Sequence, residues 1–129
     1  MVHALERVHR LIAPGGVLID IHPLGDDPPL RVNGQRVGVV KETDDFVEYR
    51  QASAALSEVI ERGLFAIERA ATFVALTHAD SLPELLAFLA EEWTDAVLED
   101  DLRWRIEALM PGEIVIEDAV SMTRLRRIP

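Results

Sequence analysis

The sequence predicts an α/β domain: a mixed sheet with helices on its faces and a small β-hairpin inserted into it. Three observations lead there. Segments with apolar residues at helical spacing alternate with short β-branched runs. An Asn-Gly pair, Asn33-Gly34, sits between two extended stretches and is a strong hairpin signal. The chain has 129 residues, the size of one domain, and at this size about two-thirds of the unfolded surface is buried on folding.

Residues 2–12 read as a helix, with Leu5, Val8, Leu11 and Ile12 at helical spacing and Glu6, Arg7 and Arg10 between them. Pro14 ends it, and Gly15-Gly16 supplies a turn into a strand. Residues 17–21 form that strand, apolar enough to be an interior one. The prolines, aspartates and glycine of residues 22–29 predict a loop. Residues 30–32 and 36–40 flank Asn33-Gly34-Gln35 as the arms of a hairpin inserted at about 30–40.

Thr43 or Asp44 is placed to cap a long helix reaching about Arg62, with Phe46, Tyr49, Ser53, Leu56, Val59 and Ile60 as its buried stripe. Gly63 stops it. Residues 64–78 read as a long strand. Ser81-Leu82-Pro83-Glu84 then starts a helix: a serine cap, a proline in the first turn and an acid at the third position. Leu85, Leu86, Phe88, Leu89 and Trp93 follow on it. A second helix over 99–109 carries Leu102, Ile106 and Leu109. The two helices make an insertion at about 81–109 before a last strand over 113–125. No repeat or low-complexity linker interrupts the order, so residues 1–129 read as one domain.

Composition narrows the function. There are 23 acidic and 13 basic residues, a formal net charge of −10. That balance disfavours nucleic-acid phosphates, and the only basic cluster is Arg124, Arg126 and Arg127. With no cysteine, disulfides, thiolate zinc sites and cysteine nucleophiles are excluded. No apolar run approaches the ~20 residues of a membrane span. Charges at Glu6, Arg7 and Arg10 break any signal-peptide pattern, so a cytoplasmic location is the expectation.

The stretch Ala4-Leu5-Glu6-Arg7-Val8-His9-Arg10-Leu11-Ile12-Ala13-Pro14-Gly15-Gly16-Val17-Leu18-Ile19 resembles a segment of class I S-adenosylmethionine-dependent methyltransferases. There a helix runs through Pro-Gly-Gly into the fifth strand of a Rossmann-type sheet. The order of elements that follows is also similar to that family's C-terminal half, with a substrate-lid insertion after the fifth strand and helices between the last two. The resemblance implies a partial, methyltransferase-like sheet. In the family, the methyl donor is held by the other half, on a Gly-rich strand-to-helix turn and an acid ending the second strand. No position here matches those residues: Gly15-Gly16 follows a helix and precedes a strand, the reverse order. The expectation is no cofactor for the isolated chain, with S-adenosylmethionine bound only if a missing half completes it.

Asp20 and His22 are the candidate catalytic residues. They stand at i and i+2, on one face of a strand near its C-terminal end, where open α/β sheets bind ligands. A carboxylate beside an imidazole can orient it as a general base; local hydrogen bonding as the strand enters its loop is the simpler reading. His78, followed by Asp80, is the candidate metal ligand, alone or with His22, but no third ligand is identifiable and Asp80-Ser81 reads as helix cap. His3 and His9 read as surface residues. Glu42, Asp44, Asp45 and Glu48 suit a helix start, and Glu91-Glu92 and Glu99-Asp100-Asp101 a solvated face and a cap. Trp93 and Trp104 read as core. No Ser-His-Asp order, phosphate loop or nucleophile elbow is legible in the chain.

The expected function is a non-catalytic, methyltransferase-like domain serving as an interaction or small-ligand module. The alternative is the substrate-side half of a methyltransferase, completed by another chain or by upstream residues. A third reading is an unrelated small α+β enzyme built on Asp20 and His22. Loss of a neighbouring half leaves the strand at 17–21 with an open edge, a liability proteins cover. The expected partner is therefore a second copy of the chain, or another protein, on that edge.

Overall fold

The computed structural model describes Met1–Pro129. The chain order is α1 (Val2–Leu11), β1 (Val17–Pro23), β2 (Pro29–Val32), β3 (Gln35–Val39), β4 (Lys41–Glu42), α2 (Val47–Glu61), β5 (Phe65–Ala79), α3 (Leu82–Glu92), β6 (Ala96–Val97), α4 (Asp100–Leu109) and β7 (Ile114–Arg127). The class is mixed α/β. The strand β7 organises the sheet. It pairs antiparallel with β1, from Val17 opposite Arg126 to Pro23 opposite Val120. Nearer its start it pairs antiparallel with β2, Leu30 opposite Ile116 and Val32 opposite Ile114. The strand β3 lies beyond β2, and β5 also pairs with β7.

The fold divides into two compact units, one of Met1–Gly25, Val47–Phe73 and Ala119–Pro129, the other of Asp26–Phe46 and Val74–Asp118. In the first, α1 and α2 pack on each other. Leu5, Leu56, Val59, Phe65 and Leu125 form its core, with Leu18 of β1 against it. In the second, Leu30, Val32, Leu85, Leu102, Ile106, Ile114 and Ile116 form the core. The hairpin, α3 and α4 all belong to this second unit.

Local chemistry explains most element boundaries. Asn33 at φ 50 and Gly34 at φ 82 both occupy the left-handed region, as a two-residue primed turn requires to match the twist of its strands. Gly63 at φ 76 ends α2 in the same way. The Ser81 hydroxyl accepts from the Glu84 amide at 3.2 Å, and the Glu84 carboxylate accepts from the Asp80 amide at 3.0 Å. That reciprocal cap starts α3.

Several expectations are corrected. The helix α2 begins at Val47, not at Thr43 or Asp44. Asp45 and Phe46 have φ 54 and 58, and the Asp44 carboxylate accepts from the Phe46 amide at 3.1 Å, so the chain makes a side-chain-closed turn here. Phe46 therefore leaves the α2 stripe; its ring packs on Trp93, centroids 6.5 Å apart. The loop expected at 22–29 is shorter, because β1 continues through Pro23 and β2 starts at Pro29. The ribbon of β4 and β6, Lys41 opposite Val97 and Glu42 opposite Ala96, is too short to leave a periodic signal.

The strand β1 is not interior. It pairs only with β7 and forms the edge of the sheet. An apolar run reads as covered on both faces, yet only the Leu18 face meets helices; Ile19 is 57% and Ile21 58% exposed. Most of β5 is exposed as well, including Ile67, Phe73, Val74 and Leu76. Trp104 is 71% exposed and so is not a core residue. No helix is long and apolar enough to cross a membrane.

Candidate functional site

The alternation of β1 sorts its side chains. Val17, Ile19 and Ile21 share one face, and Leu18, Asp20 and His22 the other. Leu18 packs into the core made with α2, so Asp20 and His22 extend the helix-covered face toward the end of the strand. On α2, Leu56 and Val59 supply the apolar stripe, and Ser53 stands one turn before Leu56.

These three polar residues meet. The His22 Nδ1 lies 2.5 Å from the Asp20 Oδ2, and the His22 Nε2 lies 2.8 Å from the Ser53 Oγ. The imidazole is the more covered, its side chain 11% exposed against 25% for Asp20. An ionised carboxylate can only accept a hydrogen bond. In the neutral ring Nδ1 therefore carries the proton and donates to Asp20, Nε2 presents its lone pair, and Ser53 donates to it. The result is a Ser–His–Asp relay built from β1 and α2. Sequence order did not disclose it, because Ser53 is 31 residues from His22. One signal was present: a lone serine on an otherwise apolar helical stripe asks for a buried partner.

The structure sets His78 against Glu113. Its Nδ1 lies 2.5 Å from the Glu113 Oε1, with both side chains more than half exposed. No group of three or more His, Cys, Asp or Glu side chains is placed to hold a metal ion. Asp80 serves the α3 cap through its amide. His9 is half-buried rather than on the open surface: its Nε2 donates to the Ile128 carbonyl at 2.8 Å, and its ring stands edge-on to Phe65.

Two further features have distinct electrostatics. The Trp93 indole donates to the Glu42 carboxylate, whose surroundings include Asp44 and Asp95; burial pushes the Glu42 carboxyl up, and its bond with Asp44 adds to this. On the open face of the sheet, Ile19, Arg69, Ala71, Met122 and Arg124 line a cleft of about 300 Å³. Glu68 accepts from Arg124 there at 2.7 Å and from Arg126, and these two guanidinium groups hold its carboxyl below the usual range.

No known protein family, curated protein or solved structure matches the chain.

Proposed function

We propose that this chain is a methyltransferase-like α/β domain, a partial Rossmann-type sheet, that works as an interaction module and does not bind S-adenosylmethionine alone. The observation that carries this reading is the open edge of β1. The Pro14-Gly15-Gly16 corner and the strand after it are the part that resembles the methyltransferase fifth strand, which has a neighbour on each side in a complete sheet. Here β1 has β7 on one side only, and Ile19 and Ile21 are exposed beside that edge. An apolar strand with a free ladder is a docking surface, and the occupant is a second copy of the chain or a partner protein that supplies a strand.

Calorimetric titration with S-adenosylmethionine tests the reading. No heat at micromolar cofactor is expected; micromolar affinity overturns it. Light scattering of the purified chain tests the self-pairing, with twice the chain mass expected and a monodisperse monomer at micromolar concentration counting against it.

The polar group at the end of β1 favours a second reading, in which the chain is the substrate-side half of a methyltransferase. Sheets of that class bind ligands beyond the C-terminal ends of their strands; Asp20 and His22 stand near the C-terminal end of β1, and such a pair can take a proton from a substrate hydroxyl or amine. Methyl transfer by the chain mixed with a cofactor-binding half, and its loss in His22→Gln, is the outcome that reading requires.

A further inference from the structure

Asp20, His22 and Ser53 form a linked polar chain across β1 and α2. We propose that Ser53 is an activated nucleophile, with His22 as its general base and Asp20 as the group that orients that base, and that it takes the acyl group of an activated carboxylic ester.

Three observations carry the assignment. The distances of 2.5 Å from Asp20 to His22 and 2.8 Å from His22 to Ser53 are those of a linked donor–acceptor chain. With Asp20 ionised and the ring neutral, the carboxylate accepts from Nδ1, which leaves Nε2 as the acceptor facing the serine. And the hydroxyl of a serine inside a helix commonly turns back onto the helix's own carbonyls, whereas that of Ser53 reaches across to a ring on β1. All three residues are half-buried, none of them sealed from solvent.

The chemistry balances with water as the second reactant. The Ser53 Oγ bonds to the acyl carbon while its proton passes to the His22 Nε2. The imidazolium so formed is stabilised by the Asp20 carboxylate, which stays ionised. The ester C–O bond breaks, and the leaving alcohol takes the proton from Nε2. A water molecule, deprotonated by the same nitrogen, then attacks the acyl carbon, releasing the carboxylic acid and returning the proton to Ser53. This activity does not depend on the methyltransferase-like reading.

The test uses the full chain and an alkyl fluorophosphonate, which loses fluoride on attack by an activated serine. Peptide mass spectrometry is expected to find the phosphonyl group on Ser53, with p-nitrophenyl acetate hydrolysis running in parallel. His22→Gln is expected to slow both by about 10²–10⁴-fold with an unchanged circular dichroism spectrum, and Asp20→Asn to slow both without abolishing them. If His22→Gln does not fold, Asp20→Asn and a urea-unfolded control carry the comparison. An unlabelled Ser53 in the folded chain, or equal labelling in the unfolded chain or in a folded variant of either residue, overturns the proposal.

Discussion

His9 on α1 donates through Nε2 to the carbonyl of Ile128 at 2.8 Å, which ties the first helix to the last residues of the chain. The same ring stands edge-on to Phe65, 5.4 Å between centroids and 88° between planes. A half-buried carbonyl thereby keeps a partner, and the aromatic pair adds to the apolar burial around it. His9→Ala removes both contacts. A loss of about 1–2 kcal/mol is expected from urea unfolding; an unchanged midpoint and slope would show that water and neighbouring side chains replace the contacts.

Glu68 is held below the usual carboxylate range by Arg124 first and Arg126 next. For an acid whose folded value is lowered, the stabilisation is complete above the unfolded value and disappears as pH falls through the folded one. Glu68→Gln should therefore be less stable than the parent at pH 7 and indistinguishable from it in strong acid. These side chains are exposed enough for salt to screen them, so the neutral-pH difference should shrink in 1 M sodium chloride. A difference constant with pH and salt would refute the assignment.

Asp118 shows the opposite sign. Burial pushes its carboxyl up from the usual aspartate value. An ionised group in that position weakens the fold at neutral pH, and the weakening fades as pH falls through the raised folded value. Asp118→Asn is expected to melt higher than the parent at pH 7 and to lose the advantage in acid. Thermal melts across that range decide it, and a lower melting temperature at pH 7 would count against burial as the cause.

The Ser81 cap predicts a local effect. Ser81→Ala leaves the Glu84 amide without its side-chain acceptor, at a cost of about 0.5–2 kcal/mol. Ser81→Asp, which keeps an acceptor at the cap, should restore most of it. Equal stability of both variants would mean that Glu84 and Asp80 alone hold the start of the helix.

What was legible in the sequence is what neighbouring residues decide among themselves. Asn33-Gly34 selects a hairpin because both φ angles are positive, and Ser81 with Glu84 marks a helix start because its bonds span three residues. The Asp20–His22 pair was legible for the same reason, since alternation along a strand puts i and i+2 side by side. Ser53 was not, because its contact depends on how α2 crosses β1. The open edge of β1 was expected only through the resemblance, not from its composition, which reports how apolar a strand is; its one neighbour is the distant segment Val120–Arg126. Phe46 stands at helical spacing and so resembles a stripe residue, but a left-handed turn takes it out of the helix.

The strand that organises the sheet comes after every strand it pairs with. On the ribosome, Val17, Ile19 and Ile21 emerge long before the segment ending at Arg126 that will be their ladder. The β2–β3 turn can close at once, but β1 must wait as an apolar, unpaired ribbon. Vectorial synthesis thus leaves this apolar segment without its ladder until the chain is almost complete.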